Sequence, residues 1–205
     1  MELNQVITER RSIRNFSNES VSVDDIKAII TAGTMAPSIN NSQPWRFIGI
    51  KNKQLLGQLA DAVSETLLSL KTKEGEEAER IFSKVHWYST FFKEAPIVVA
   101  VILKNYQSVL EKAVDMNHKE LNELRNYPDI QSIGACIQNM LLTATDLGYG
   151  SCWLSAPSLA SKQLEQILET GDDSKIIAFV ALGRPLSAPK PPEKKPIDDI
   201  FEMKL

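Results

Sequence analysis

The pattern of hydrophobic and polar residues predicts that helices and strands alternate along this chain. The clearest helix lies between residues 130 and 147, where apolar residues recur at spacings of three and four. Its apolar positions are Ile130, Ile133, Ile137, Met140, Leu141, Ala144 and Leu147. Gly148 follows them and is a natural helix stop. Because this stripe is broad, we expect the helix to lie in a core or at a contact between subunits.

Two continuous apolar runs predict strands that are buried on both faces. Residues 97–103 read Ile-Val-Val-Ala-Val-Ile-Leu, and residues 176–182 read Ile-Ile-Ala-Phe-Val-Ala-Leu. Both runs have the length of a strand and are too short to cross a membrane. A shorter run at residues 47–50 predicts a third strand, and the turn after Gly148 leads towards a further apolar stretch at residues 152–154.

Several helices are predicted around these strands. Ser22 and Asp25 have the spacing of a capping box, and isoleucines follow at helical spacing until Gly33. A second helix is predicted from about residue 54 to residue 70, followed by a charged segment at residues 71–80 that is expected to be an exposed helix or loop. A polar, helix-like segment covers residues 108–126.

The last part of the chain is rich in proline. Its prolines are Pro185, Pro189, Pro191, Pro192 and Pro196. Such a sequence predicts an extended arm rather than a packed element. Residues 197–205 then add apolar side chains that require a surface to dock on, such as another subunit. With no internal repeat or linker, we expect residues 1–205 to form one domain, with an arm from about residue 185.

Composition narrows the class of protein. The chain has 205 residues, of which 43% are hydrophobic and 24% charged, so it can bury a sizeable core. The net charge of −3 argues against nucleic acid as a partner. Residues 1–5 lack the basic and apolar pattern of a secretory signal. Cys136 and Cys152 are too few for a disulfide framework, so we expect buried thiols and a reducing, cytoplasmic location. Because no apolar run has the length of a transmembrane helix, we expect no membrane association.

A cluster of arginines near the N-terminus suggests a phosphate site. Three guanidinium groups and a hydroxyl lie within five residues, at Arg10, Arg11, Ser12 and Arg14. Guanidinium groups match a phosphate in charge and bind it in a bidentate manner. Arg10 and Arg14 would project to the same side if this segment were helical. The alternative is a solvated helix terminus at which the positive charges interact favourably with the helix dipole.

A second polar segment suggests recognition of a flat heterocycle. Residues 36–45 carry small amides and hydroxyls between Pro37 and Pro44. Asn and Gln side chains supply both the donors and the acceptors that the edge of an isoalloxazine ring requires. Asn41 and Gln43 are the first candidates for that role. The alternative is a proline-bracketed loop that its own side chains cap.

Other chemistries have little support in the sequence. His86 and His118 have no partners at the spacing of a metal site or a catalytic triad, and no serine lies in a Gly-x-Ser-x-Gly elbow. Residues 148–150 read Gly-Tyr-Gly, but they follow a helix and precede a strand, which is the reverse of a dinucleotide fingerprint. If the chain is an enzyme, a cofactor therefore carries its chemistry.

Four segments together resemble the FMN-dependent nitroreductase family. They are the Arg-Arg-Ser-x-Arg-x-Phe start, the Ala-Pro-Ser-x-x-Asn-Ser-Gln-Pro-Trp loop, the helix that runs into Leu-Gly-Tyr-Gly, and the Ala-Leu-Gly-Arg-Pro sequence at residues 181–185. They occur in the family order and span most of the chain. The resemblance implies an α+β, three-layer sandwich with a mostly antiparallel central sheet flanked by helices. It also implies a homodimer with exchanged C-terminal arms and tightly bound FMN at the subunit interface.

The resemblance also assigns cofactor-binding residues. The phosphate would be held by Arg10, Ser12 and Arg14, with Arg11 nearby and with Gly183, Arg184 and Lys194 or Lys195 completing the site. Pro37, Ser38, Ile39, Asn41 and Gln43 would come from the other subunit and line the flavin. Leu154, Ser155 and Ala156 would approach flavin N5, and some members of the family carry a glutamate where Ser155 stands. A mid-chain polar contact to the flavin is expected near Ser64 or Glu65.

The activity implied by the resemblance is oxidoreduction without a catalytic side chain. NAD(P)H would pass hydride to flavin N5, and a nitroaromatic, quinone or activated alkene would then take two electrons in a ping-pong cycle. The same fold also serves reductive dehalogenation and flavin fragmentation among relatives. Those reactions need a lid, for which residues 71–93 are the expected segment. A flavin-binding protein without turnover is the remaining alternative.

Overall fold

The computed structural model describes residues 1–187 and 189–204. Within these residues the chain forms seven α-helices and four β-strands. The helices are α1 (Leu3–Glu9), α2 (Val23–Thr34), α3 (Lys53–Leu68), α4 (Glu76–Thr90), α5 (His118–Leu124), α6 (Pro128–Asp146) and α7 (Ser161–Ile167). The strands are β1 (Trp45–Ile50), β2 (Ile97–Lys104), β3 (Gly150–Leu154) and β4 (Ser174–Gly183). No helix of this part of the chain is long and apolar enough to cross a membrane.

The four strands form one antiparallel sheet in the order β1-β2-β4-β3. The two strands predicted from continuous apolar runs, β2 and β4, are the central pair, and nearly all of their residues are buried. This confirms the prediction, because a strand covered on both faces needs apolar side chains at successive positions. A register shift lies between Val101 and Ile102 in the pairing of β2 with β4.

Helices cover both faces of the sheet, so the fold has the three layers that were expected. On one face, α2 and α6 pack with Val99, Val101 and Val180 in a continuous apolar cluster. On the other, α3 and α7 pack with the alternate residues of the central strands, including Phe179. The alternation follows from the pleat, since successive side chains of a strand point to opposite faces. Both cysteines are buried, and burial raises the pKa of Cys136 to about 12.

Local sequence signals explain where several helices begin and end. The hydroxyl of Ser22 accepts a hydrogen bond of 3.0 Å from the amide of Asp25, as the capping pattern predicted. Gly148 has a φ of 75° directly after the C-terminal end of α6, which confirms the predicted stop. The stripe predicted for α6 is confirmed from Ile133 to Ala144, but Ile130 is 40% exposed. It lies in the first turn of the helix.

Other segments differ from the sequence predictions. Residues 108–126 contain only a 3-10 helix at Leu110–Lys112 and the short α5 (His118–Leu124), because the polar sequence offers little apolar surface for a longer helix to bury. Of the charged segment at 71–80, predicted as an exposed helix or loop, residues 76–80 form the start of α4, whose full length of 15 residues the sequence analysis did not identify. Helices α1 and α7 were also missed, since each has only seven residues.

Candidate functional site

The arginine cluster lines a cavity of about 690 Å³. One wall is the end of α1 with Arg10, Arg11, Ser12 and Arg14. The rest of the lining includes Gln138 of α6 and, from the C-terminal arm, residues 189–192 and Lys194, so that Lys190 and Lys194 reach the same space. The structure therefore brings Arg10, Arg11, Ser12 and Arg14 together with Lys194, one of the two predicted arm lysines, but not with Gly183 or Arg184.

The arginine segment is extended rather than helical. Helix α1 ends at Glu9, and Arg10 has φ −53° and ψ 127°. Ser12 then forms a parallel bridge with Ser151 of β3, and the amide of Ile13 donates a hydrogen bond of 2.9 Å to the carbonyl of Ser151. The assumption of a helical turn between Arg10 and Arg14 was wrong. Arg10 and Arg14 nevertheless line the same cavity.

A glycine on β3 allows this segment to approach the sheet. A Cβ atom placed on Gly150 would lie 2.8 Å from Cβ, Cγ1 and Cγ2 of Ile13, a distance that real Cβ atoms essentially never show. Ile13 is buried at this position. The absence of a side chain at Gly150 therefore sets how closely the arginine segment lies along β3.

The charge of the cavity is not neutralised by the protein itself. In the described residues, no carboxylate lies within ion-pair distance of Arg10, Arg11 or Arg14. The Arg11 guanidinium donates to the carbonyls of Thr8 and Arg10 at 2.6 and 2.8 Å. That of Arg14 donates to the carbonyl of Ser12 at 3.3 Å and lies over the ring of Tyr88, 4.8 Å from its centroid. A cationic cavity lined by donors suits an anion with several acceptor oxygens, such as a phosphate monoester.

The amide-rich loop does not meet the arginine cluster within one chain. None of Pro37, Ser38, Ile39, Asn41 and Gln43 lines the arginine cavity. The hydroxyl of Ser38 accepts a hydrogen bond of 3.0 Å from the amide of Gln43, which is the self-capping that the alternative interpretation predicted. The amide of Ile39 donates to Ser132 of α6 at 3.0 Å.

The backbone of this loop adopts an uncommon conformation. Asn41 has a φ of 51° and Gln43 a φ of 46°, values that few residues other than glycine adopt. Their side chains are exposed at the surface. Strained backbone with exposed amides fits a recognition loop whose partner is not part of the same chain.

The remaining predicted residues also lie outside the arginine cavity. Leu154 is buried in the core, whereas Ser155 is exposed and Ala156 half-buried where β3 ends. Gly183 packs against Pro96, since a Cβ atom there would lie 2.7 Å from the proline ring. Arg184 donates to the carbonyls of Leu147 and Gly148 at 3.1 and 3.0 Å, so its guanidinium group caps the end of α6.

Both histidines have side-chain partners, which the sequence analysis had not expected. Nε2 of His86 lies 2.7 Å from the hydroxyl of Ser64, and Nδ1 of His118 lies 2.6 Å from Glu111. Ser64 is 22 residues from His86 and meets it where α3 and α4 pack, whereas Glu111 is only seven residues from His118. The hydrogen bond from His118 lowers the pKa of the Glu111 carboxyl. No group of three or more metal-ligating side chains occurs in the described part of the chain.

A second cavity of about 540 Å³ shares Arg14 with the first. Its lining includes His86, Trp87 and Phe91 from the C-terminal part of α4 and the segment that follows it. Tyr88, whose ring contacts Arg14, comes from the same turn of α4. The sequence analysis missed these aromatic residues as site candidates, although it placed them within the expected lid. The sequence signal that could have identified them is the group of aromatic residues at positions 87, 88, 91 and 92.

Comparison with known proteins gives a consistent result. A sequence model described as "Nitroreductase family" matches residues 7–184. An iodotyrosine deiodinase from Hydra vulgaris is 30% identical over 94% of this chain and 69% of its own length. A putative NADH dehydrogenase/NAD(P)H nitroreductase from Archaeoglobus fulgidus is 28% identical over 88% of this chain and 84% of its own length.

Solved structures show the same architecture. A BluB-like flavoprotein from Clostridium difficile 630 superimposes with a TM-score of 0.86 and 32% identity, with all of both chains covered. A nitroreductase with bound FMN from Desulfitobacterium hafniense DCB-2 superimposes with a TM-score of 0.75 and 25% identity, covering 100% of this chain and 99% of that one.

Proposed function

We propose that this chain, which belongs to the nitroreductase family, is an FMN-dependent oxidoreductase that carries electrons from NAD(P)H to a small acceptor. The observation that carries the proposal is the arginine cavity, where cationic donors have no carboxylate partner within the described residues. The FMN bound by the Desulfitobacterium nitroreductase supports the identity of the cofactor, and the Archaeoglobus relative supports the electron donor.

The residues of the cavity fit the phosphate of FMN. Arg10 and Arg14 supply positive charge, Ser12 supplies a hydroxyl donor, and Lys194 of the arm adds a further cation. Charge-assisted hydrogen bonds of this kind are about twice as strong as neutral ones. When bound, FMN supplies two-electron chemistry, accepting hydride from NAD(P)H and reducing an acceptor. The protein binds and orients the reactants, and no side chain acts as a nucleophile.

A second copy of the chain completes the proposed site. The amide-rich loop is exposed and lies outside the arginine cavity of its own chain, so we assign Pro37, Ser38, Ile39, Asn41 and Gln43 to the flavin of a partner subunit. The C-terminal arm supports a homodimer. Ile200 and Phe201 are 63% and 59% exposed, and Ile197 and Met203 are also exposed, which is unfavourable unless another surface covers them.

Of the remaining residues suggested by the resemblance, Leu154, Ser155 and Ala156 retain the proposed position near flavin N5. Ser155 is exposed and Ala156 half-buried where β3 ends, so this segment is accessible to a ligand. Gly183 and Arg184 contribute indirectly, because they hold the arginine segment and the end of α6 in place through Phe16, Tyr149 and neighbouring atoms.

Anaerobic titration of the purified protein tests the proposal. We expect a yellow preparation that releases FMN on denaturation, loses its absorbance near 450 nm with NADH or NADPH, and regains it when a nitroaromatic or quinone is added. Sedimentation should give the mass of a dimer. A protein that neither retains FMN nor binds it on reconstitution would refute the proposal, and one that holds FMN but is reduced by neither nucleotide would be a flavin-binding protein without this turnover.

Reductive dehalogenation is a second candidate, favoured by the 30% identity to the Hydra deiodinase. In that reaction an aryl halide, two electrons and one proton give the arene and a halide ion. Incubation of the dithionite-reduced protein with an iodinated phenol, followed by iodide detection, distinguishes it. Iodide release at a rate above that of nitro reduction would make dehalogenation the better assignment.

A further inference from the structure

We propose that the C-terminal arm is a strap that a bound phosphate group holds at the arginine cavity, with Lys190 as a further phosphate-binding residue beside Lys194. Residues 189–192 and Lys194 of the arm line this cavity together with the arginine segment. The sequence analysis had singled out Lys194 or Lys195 but not Lys190. The inference rests on the proposed function for the identity of the phosphate as that of FMN, and it adds how this phosphate controls the position of the arm.

Few contacts within the chain hold the arm in place. The last described backbone hydrogen bond from the arm to the rest of the protein is donated by Leu186 to the carbonyl of Asn15, at 3.1 Å. Beyond it, the described backbone hydrogen bonds of the arm are local, within residues 196–200. All described residues from Pro185 to Lys204 are exposed. Because proline has no N–H group, the prolines of residues 189–192 add no donors. The position of the arm therefore depends on what its side chains contact.

The charges of the cavity oppose closure of the arm unless an anion is bound. The described lining has five cationic side chains, which are the three arginines with Lys190 and Lys194, and it includes no acidic one. Glu193 lies between these lysines in the sequence but is not part of the lining. Like charges repel over about 8 Å at physiological ionic strength. We therefore expect the arm to leave the cavity when no anion is present.

A phosphate group reverses this balance. A phosphate monoester carries a charge of about −1.5 to −2 at pH 7 and three acceptor oxygens, so it attracts the arm and the arginine segment at once. Lysine binds phosphate as a point charge, without the fixed geometry that a guanidinium fork requires. Lys190 and Lys194 can therefore both contact one phosphate.

The prolines limit the entropy that is lost when the strap closes. Pro191 and Pro192 lie between the two lysines. Proline-rich segments are extended and semi-rigid even when free, so the spacing of the lysines is largely set before binding. Fixing such a segment costs less conformational entropy than fixing a flexible one.

Limited digestion with trypsin tests the strap. Within residues 189–196, trypsin cleaves readily only after Lys194, since Lys190 and Lys195 each precede a proline. The enzyme must bind the Lys194 side chain itself, so an ammonium group held at a phosphate is protected. We expect FMN to slow this cleavage at least tenfold relative to the cofactor-free protein. Riboflavin, which lacks the phosphate, should slow it less than twofold at the same occupancy. Cleavage after Lys71, in the exposed segment between α3 and α4, is the internal control and should not change.

A pair of variants tests the role of Lys190. Lys190→Gln removes one proposed phosphate contact and keeps the tryptic site, so it should lower the protection by FMN about threefold. Lys204→Gln, at an exposed arm position outside the cavity, should leave the protection unchanged.

The outcomes separate this inference from the proposed function. Retention of FMN without protection, equal protection by FMN and riboflavin, equal effects of the two variants, or equal slowing after Lys71 would refute the strap and leave the proposed function intact. Protection by inorganic phosphate in a protein that does not bind FMN would support the strap and refute the proposed function. A protein that neither binds FMN nor is protected by inorganic phosphate would refute both.

Discussion

The hydroxyl of Tyr149 donates a hydrogen bond of 2.6 Å to the carboxylate of Asp25. This bond joins the first turn of α2 to the residue directly before β3, at the end of the connection from α6. The guanidinium of Arg184 lies over the same tyrosine ring at 4.1 Å from its centroid. The contact therefore links α2, the end of α6 and the end of β4 at one point near the arginine segment.

The Asp25 contact makes stability depend on pH in a defined direction. The hydrogen bonds from Tyr149 and from Ser22 hold the pKa of Asp25 below its ordinary value of 3.8. Because the folded-state pKa is lowered, the stabilisation is present above the ordinary value and is lost as pH falls through the folded-state pKa. Tyr149→Phe keeps the ring and should lower the melting temperature at pH 7, with a smaller difference from the native chain at pH 3. A constant difference across this range would contradict the assignment.

Gly150→Ala should disturb the arginine segment. The new Cβ atom would lie 2.8 Å from Ile13, so the segment must shift or the core must expand. Overpacking of this kind costs roughly 1–3 kcal/mol. We expect that loss in urea unfolding together with weaker FMN retention. Gly57→Ala is the control, since nothing lies within 4 Å of the added atom and the residue is inside α3. It should stabilise the protein by about 0.5–1 kcal/mol and leave FMN binding unchanged.

Arg14 and Arg184 should differ in their effects on FMN. Arg14 lines the arginine cavity, whereas Arg184 is engaged with the carbonyls of Leu147 and Gly148. Arg14→Ala should raise the Kd for FMN tenfold or more, which corresponds to about 1.4 kcal/mol. Arg184→Ala should chiefly lower the melting temperature. Arg80→Ala, at an exposed site of α4, serves as the control for loss of a positive charge. A larger effect on Kd from Arg184→Ala would place that residue at the phosphate instead.

The two thiols should be unreactive in the native protein. Cys136 and Cys152 are both buried, and burial raises the pKa of Cys136 to about 12. Burial also raises the pKa of Cys152, with smaller opposing effects from Arg14 and Arg10. Since the thiolate is the reactive form, iodoacetamide at pH 8 should label neither cysteine. Both should react in guanidinium chloride, as measured by mass spectrometry. Rapid native labelling of either thiol would indicate local opening of the core.

Predictions based on long apolar patterns were the most successful. The central strands β2 and β4 and the helix α6 were identified from their residues alone, because burial on both faces of a sheet or along one face of a long helix requires a regular sequence. The caps at Ser22 and Gly148 were also predicted, since each depends on a local interaction. Short helices such as α1 and α7 left too little pattern to recognise.

The sequence by itself determined which residue types are present for phosphate and ring binding, and its apolar pattern identified the central strands and α6, whereas the α+β class came from the resemblance to the nitroreductase family. Only the tertiary structure decided how these residues are arranged. It made the segment from Arg10 to Arg14 extended through pairing with Ser151, turned Arg184 towards the end of α6, and brought Arg14 against Tyr88. The physical reason is the range of the interactions along the chain. Apolar periodicity and helix caps depend on residues that are close in sequence, whereas these contacts form only after distant segments pack on the sheet.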